Sequence, residues 1–201
     1  MGKKLDTSFY DNNDVTLIAR QLLGKVLITK TGKVLTSGII VETEAYSYKE
    51  RGCHAYQNKM TKRNAIMFGD GGYAYVYLCY GMHHLFNVVT NKKGLAEAVL
   101  IRAIQPLDGM NHMINRTGKK LVNAIGNGPG KTSSALGIKL NHYGLPLNGN
   151  VIWIEDHGTI IGSEEIVSCK RIGIDYAGKD AHRKWRFFIK NNAWISKPCN
   201  D

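Results

Sequence analysis

Apolar and polar positions alternate with two different periods along the chain, and the period marks each element. Val15, Ile18, Ala19, Leu22 and Leu23 recur at helical spacing, so residues 14–23 read as a short amphipathic helix stopped by Gly24. KVLITK (25–30), a Thr31-Gly32 turn and VLTSGIIVETEAY (34–46) read as a hairpin with a long second strand. Segment 47–72 is polar and contains glycine, which predicts a long irregular loop of the kind that carries function. YAYVYLCY (73–80), the pair Gly81-Met82 and HHLFNVVT (83–90) form a second hairpin, and AVLIRAI (98–104) is a further strand. Helical patterning between 108 and 140 is weak. Strands follow at 151–156, 165–170 and 186–190. Strands in hairpins outnumber strand–helix alternations. The expected fold is therefore α+β, one mixed domain over 1–201 with a curved, mainly antiparallel sheet and peripheral helices.

Composition narrows the class. The 201 residues are 43% hydrophobic with three Trp, enough for a real core. No run of about 18 apolar residues occurs, so no membrane span is expected. The N-terminal MGKKLDTSFY lacks the apolar region of a secretory signal, and Asp6 stands where a myristoylation signal needs Ser or Thr. A cytoplasmic protein is expected. Cys53, Cys79, Cys169 and Cys199 show no CxxC pair and no disulfide-like spacing, and the seven His show no ligand pattern, so no metal is expected.

Charge adds a partner class. The net charge is +11 and the pI about 9.5, a field that attracts polyanions. Residues 51–64 carry Arg51, Lys59, Lys62 and Arg63 with no acid, and residues 116–131 carry Arg116, Lys119, Lys120 and Lys131 with none. Residues 170–190 hold seven Lys or Arg against Asp175 and Asp180.

Three segments hold candidate chemistry. GNGPGKTSS (126–134) imitates a phosphate loop, but Ile125 stands where its first Gly belongs. It reads instead as a loop entering a helix near Thr132, with Lys131 placed to meet a DNA phosphate. In VETEAY, Glu42, Glu44 and Tyr46 share one strand face. A carboxylate at the end of an apolar strand needs a partner or a task. A salt bridge to Arg102 accounts for one of the two glutamates, and parity leaves open which. On the tyrosine strand, Tyr73, Tyr75 and Tyr77 share one face, and Ala74, Val76, Leu78 and Tyr80 the other. Such a stripe is usually core, yet Tyr80 precedes a turn where burial is difficult, which suits a wedge between base steps.

VETEAY, YVYLCYGMHHLFNVV and RAIQPL, with LLGKVL (22–27), TKRNAIMF (61–68), GPGK (128–131), ALGI (135–138) and RIGIDYAG (171–178), resemble the alkyladenine (3-methyladenine) DNA glycosylase family from about Leu17 to Ser196. The resemblance implies a monofunctional DNA repair enzyme without a cofactor, acting as a monomer on double-stranded DNA. Its expected substrates are 3-methyladenine, 7-methylguanine, hypoxanthine and ethenoadenine, flipped out of the duplex before hydrolysis of the N-glycosidic bond. By the same resemblance Glu44 is the general base, and Arg102 and the Ile174 carbonyl help hold its water. Tyr46 stacks on one face of the base, His54 and Tyr77 on the other. The His54 amide reads the base edge and Asn87 disfavours guanine. Tyr80 is the wedge at the tip of a protruding, DNA-intercalating hairpin, flanked by Met82 and His83, and Arg63 joins Lys131 on the DNA backbone. His83 departs from the Tyr of some members, and Lys184 from a common Pro. The competing readings are a damaged-DNA-binding protein without catalysis, which an intact Glu44 and Arg102 disfavour, and an RNA-binding module, which leaves the VETEAY carboxylates unexplained.

Overall fold

The computed structural model describes residues 2–118 and 124–199; Lys119 and Lys120 of the second basic segment lie outside the described residues. Within them, helix α1 spans Val15–Gln21, α2 Met110–Thr117 and α3 Pro129–Leu136. Strands β1 Lys3–Lys4, β2 Val26–Thr31, β3 Val34–Ser47, β4 Ala74–Cys79, β5 His83–Thr90, β6 Glu97–Pro106, β7 Ile152–Asp156, β8 Ile166–Cys169 and β9 Arg186–Ile189 join in one curled antiparallel sheet. Its main path runs β1-β7-β2-β3-β6-β5-β4, and β9 attaches to β3 with β8 outside it. The α+β class with a mainly antiparallel sheet agrees with the sequence pattern. No helix is long and apolar enough to cross a membrane among the described residues.

Strand β3 organises the site. Its first part pairs with β2, its later residues Glu42–Glu44 pair with β9, and β6 runs along its other edge. The register against β6 slips at Glu42, between Ile40↔Ile104 and Thr43↔Ile101, which bends the strand from one neighbour to the next.

Alternation divides the two cores. Ala74, Val76, Phe86, Val88, Val99 and Ile101 face the helices and pack with Ile18 and Leu136. Tyr75, Val89 and Ala98 face the other way, under Cys53, Ala55, Met67 and Phe68 of the long loop. The 47–72 segment therefore covers one face of the sheet. It is held by Asn64, which is buried, donates to the carbonyls of His54 (2.9 Å) and Lys59 (3.0 Å) and accepts from the Thr61 amide (2.6 Å).

Several boundaries differ from the sequence expectation, each for a physical reason. Helix α1 begins at Val15 because Asp14 caps it, accepting from the amides of Thr16 and Leu17. The first hairpin turns at Gly32-Lys33, since Thr31 pairs with Val34. Helix α3 starts at Pro129, not near Thr132: proline suits the first helical position, and the Thr132 hydroxyl instead reaches the carbonyls of Arg102 and Gly126. Strand β1, with no alternation to announce it, pairs with Glu155 and Asp156. The expectation that no cysteines pair is overturned. Cys169 and Cys199 form a disulfide, 30 residues apart, because the chain end folds back beside β8.

Candidate active site

A cleft of about 510 Å³ opens between the long loop, the tip of the β4–β5 hairpin and the 172–176 loop. Its floor comes from the β3–β6 pair. Glu42 and Glu44 are completely buried and both meet Arg102: Glu42 Oε1 lies 3.2 Å from Nε and Glu44 Oε2 3.2 Å from Nη1. Strand parity is borne out, and the arginine serves both carboxylates rather than one.

The two glutamates differ in what else they accept. Glu42 Oε1 takes Arg102, Arg186 Nη1 (3.0 Å) and the Ser196 hydroxyl (2.8 Å), and Oε2 takes the Ser196 amide (2.6 Å). A carboxylate offers about four acceptor sites; Glu42 meets four donors, and its less occupied Oε2 is bonded to Ser196, which is not among the described residues lining the cleft. Glu44 Oε2 takes Arg102 and the Tyr46 hydroxyl (2.8 Å), while Oε1 takes only the Ile172 amide (2.8 Å). Glu44 thus retains an acceptor position on Oε1. Its partner Ile172 lines the cleft, as do Gly173, Ile174, Arg102 and Tyr46. The Ile174 carbonyl accepts the Ala177 amide at 2.8 Å and keeps its second lone pair.

The walls are aromatic. Tyr46 is backed by the Arg171 guanidinium, 4.7 Å from its ring centre, and its phenol pKa is raised well above the ordinary value by burial and by Glu44. His54 and Tyr77, which also line the cleft, pack edge to face at 4.7 Å, and Tyr75 bonds His54 Nδ1 at 2.7 Å. No hydrogen bond among the described residues takes up the His54 amide. Asn87 lines the cleft with its amide donating to the Tyr75 carbonyl at 3.1 Å. Arg63 stacks over the Tyr77 ring at 4.6 Å, which places it in the cleft wall.

The surrounding protein and the Arg63 charge push the His54 pKa down to about 4. An NMR titration of the His54 ring should therefore have its midpoint near 4, against about 6.5 for an unperturbed histidine. Because the folded value lies below the unfolded one, this group's contribution to stability is complete above about 6.5 and fades as the pH falls toward 4. Arg63→Ala should move the midpoint upward without restoring the ordinary value, since burial is the larger cause. A wild-type midpoint at 6.5 would refute the assignment.

At the mouth, Tyr80 is 87% exposed and Met82 72% exposed. Tyr80 (φ 50°) and Gly81 (φ 70°) form the turn closed by Met82 N–H donating to the Cys79 carbonyl. Tyr80 therefore stands outside the strand's alternation, and parity does not set it opposite Tyr77; both border the cleft. His83 is exposed at the start of β5, and Lys131 Nζ bonds Asn127 at 2.8 Å.

Some contributors escape sequence reading. Ser196 reaches Glu42 across 154 positions, Arg171 supports Tyr46 from another loop, and exposed Tyr176 borders the mouth. Asn64 and Arg171 do fall within TKRNAIMF and RIGIDYAG, the only signal that marked them.

Fold and site together define a class: a basic α+β protein with a cleft walled by aromatic side chains and a carboxylate behind its floor. The chain belongs to the methylpurine-DNA glycosylase family, whose model matches residues 8–193. It is 43% identical over 203 residues to a protein of Alkaliphilus oremlandii, covering 96% of this chain and 99% of the relative. It is 45% identical over 193 residues to one of Carboxydothermus hydrogenoformans, covering 96% and 98%. The Chlamydia felis relative is 45% identical over 188 residues, covering 92% and 95%. All three bear the name "Putative 3-methyladenine DNA glycosylase".

Proposed function

We propose that this protein hydrolyses the N-glycosidic bond of damaged purines in double-stranded DNA, among them 3-methyladenine, 7-methylguanine, hypoxanthine and ethenoadenine, and leaves an abasic site. The observation that carries the reading is the spare acceptor position on Glu44 Oε1, an oxygen bonded to the amide of Ile172, which lines the cleft two residues before Ile174. A water there gives its proton to Glu44 as it attacks the sugar carbon, and Arg102 holds the carboxylate in place. Bond breaking leaves positive charge on the sugar ring, which a fixed carboxylate in a desolvated site stabilises.

A base inside a duplex cannot reach this floor, so the nucleotide is extruded at a cost of a few kcal/mol, least for a damaged base. Exposed Tyr80 supplies the wedge that fills the gap, flanked by Met82 and His83. Tyr46 takes one face of the base and His54 with Tyr77 the other; the His54 amide meets its edge, and Asn87 crowds a guanine amino group. Lys131 and Arg63 add positive charge for the backbone, Arg63 from within the wall. No lysine lines the cleft among the described residues, which favours water over an amine nucleophile and hence a monofunctional enzyme. A 3-methyl or 7-methyl purine is already cationic while attached, so it takes the bonding electrons and leaves as a neutral base without further protonation. Neutral lesions need a separate acid, such as a water.

The test is incubation with duplexes each holding one such lesion, followed by alkali. Alkali-labile breaks at the lesion are the expected result. Tight lesion binding without breaks would establish the non-catalytic reading instead.

A further inference from the structure

Beyond the hairpin tip from the cleft lies a second hollow of about 400 Å³. The tip and the start of α3 divide the two: Tyr80 and Pro129 border the cleft, while Met82, His83 and Gly130 border the hollow. The hollow gathers Arg116, Lys139, His83 and His84, and no carboxylate lines it among the described residues. Arg116 is fixed by neutral groups, the Thr36 hydroxyl (3.1 Å) and the Ala135 carbonyl (3.0 Å), so its charge is held in place and left unneutralised. Helix α3 has no side-chain cap, and Gly130 of its first turn borders the same space. Fixed cations, an uncapped helix start and no acid are what an anion requires.

We propose that this hollow takes a phosphodiester of the DNA strand opposite the damaged base, an inference that rests on the base-extrusion reading above. With Tyr80 in the duplex, the strand bearing the extruded nucleotide runs along the cleft side of the tip. The other backbone, only about 6 Å away across the minor groove, passes on the side of Met82 and His83. Lys139, Arg116 and the two histidines meet it there. The hollow thus grips the undamaged strand while the cleft takes the damaged base.

Lys139 is exposed and has no ion-pair partner among the described residues, so Lys139→Gln tests the site without disturbing the core. Binding is measured on a duplex carrying a non-hydrolysable abasic analogue, with uncharged methylphosphonate linkages placed singly in either strand. The variant should bind roughly five- to tenfold more weakly at about 0.1 M salt, with a log–log salt slope shallower by about one. One methylphosphonate in the opposing strand should weaken the wild type and cost the variant less, since Arg116 still faces that phosphate. Wild-type affinity in the variant, or a penalty undiminished from the wild type at every opposing-strand position, overturns the proposal. Coupling to the damaged strand alone overturns it too. Because the probe is never cut, loss of the proposed catalysis would show in the lesion assay and not here.

Discussion

Glu44→Gln is expected to lower the single-turnover rate of base excision by about 10²–10⁴-fold, the range a positioned general base contributes, while lesion-duplex binding persists. The substitution keeps the shape of the side chain and changes what it can accept. All three partners of Glu44 are donors: the Tyr46 hydroxyl, Arg102 Nη1 and the Ile172 amide. An amide oxygen can serve one side of this set, and its NH2 then points at a donor on the other. That mismatch in a fully buried place should cost about 1–3 kcal/mol of stability, measurable by urea denaturation. Excision within tenfold of wild type would remove this carboxylate from the reaction. Glu42 is a poor substitute, because Arg102, Arg186 and Ser196 already occupy its oxygens.

The largest loss of stability is expected at Arg171→Met. Arg171 and Glu50 are wholly buried side chains joined by two bonds of 2.7 Å, and Arg171 also donates to the Ala45 carbonyl at 2.9 Å. Methionine would leave Glu50 as an unpaired buried charge, which costs about 3–5 kcal/mol. A urea midpoint shifted accordingly at constant m-value is the expected reading. The double variant Arg171→Met with Glu50→Leu should recover most of the loss, since removing both charges also removes the desolvation cost. A single-variant loss under about 1 kcal/mol would contradict this account of the pair. Lesion binding should fall in the single variant as well, because the guanidinium is the backing of the Tyr46 ring. Gly52 belongs to the same unit: a Cβ there would meet Glu50 Oε2 at 2.9 Å and Ile174 Cδ1 at 3.2 Å, so any side chain would have to displace the ion-paired carboxylate.

The strands were legible because successive residues alternate between two faces, one packed on the helices and the other under the long loop. Ala74 and Val76 facing the helices, with Tyr75 and Tyr77 facing the long loop, follow directly from that period. Elements without such a face were not legible. Strand β1 is two lysines that pair at an edge, and α3 is set by a proline and by the tertiary bond of Thr132 to the Arg102 carbonyl. The Cys169–Cys199 bond depends on where the chain end returns, which no spacing records.

The sequence by itself determined the α+β class, the shared face of Glu42, Glu44 and Tyr46, the basic character, and, through its motifs, the family. Only the tertiary structure distinguished the two glutamates. Parity is a property of one strand and treats positions two apart as equals. Hydrogen-bond capacity is filled by whatever the fold brings near: Ser196 and Arg186 reach Glu42 from 154 and 144 positions away, while Glu44 meets the Ile172 amide and keeps an acceptor free. That difference arises from long-range contacts, so it could appear only once the chain had closed on itself.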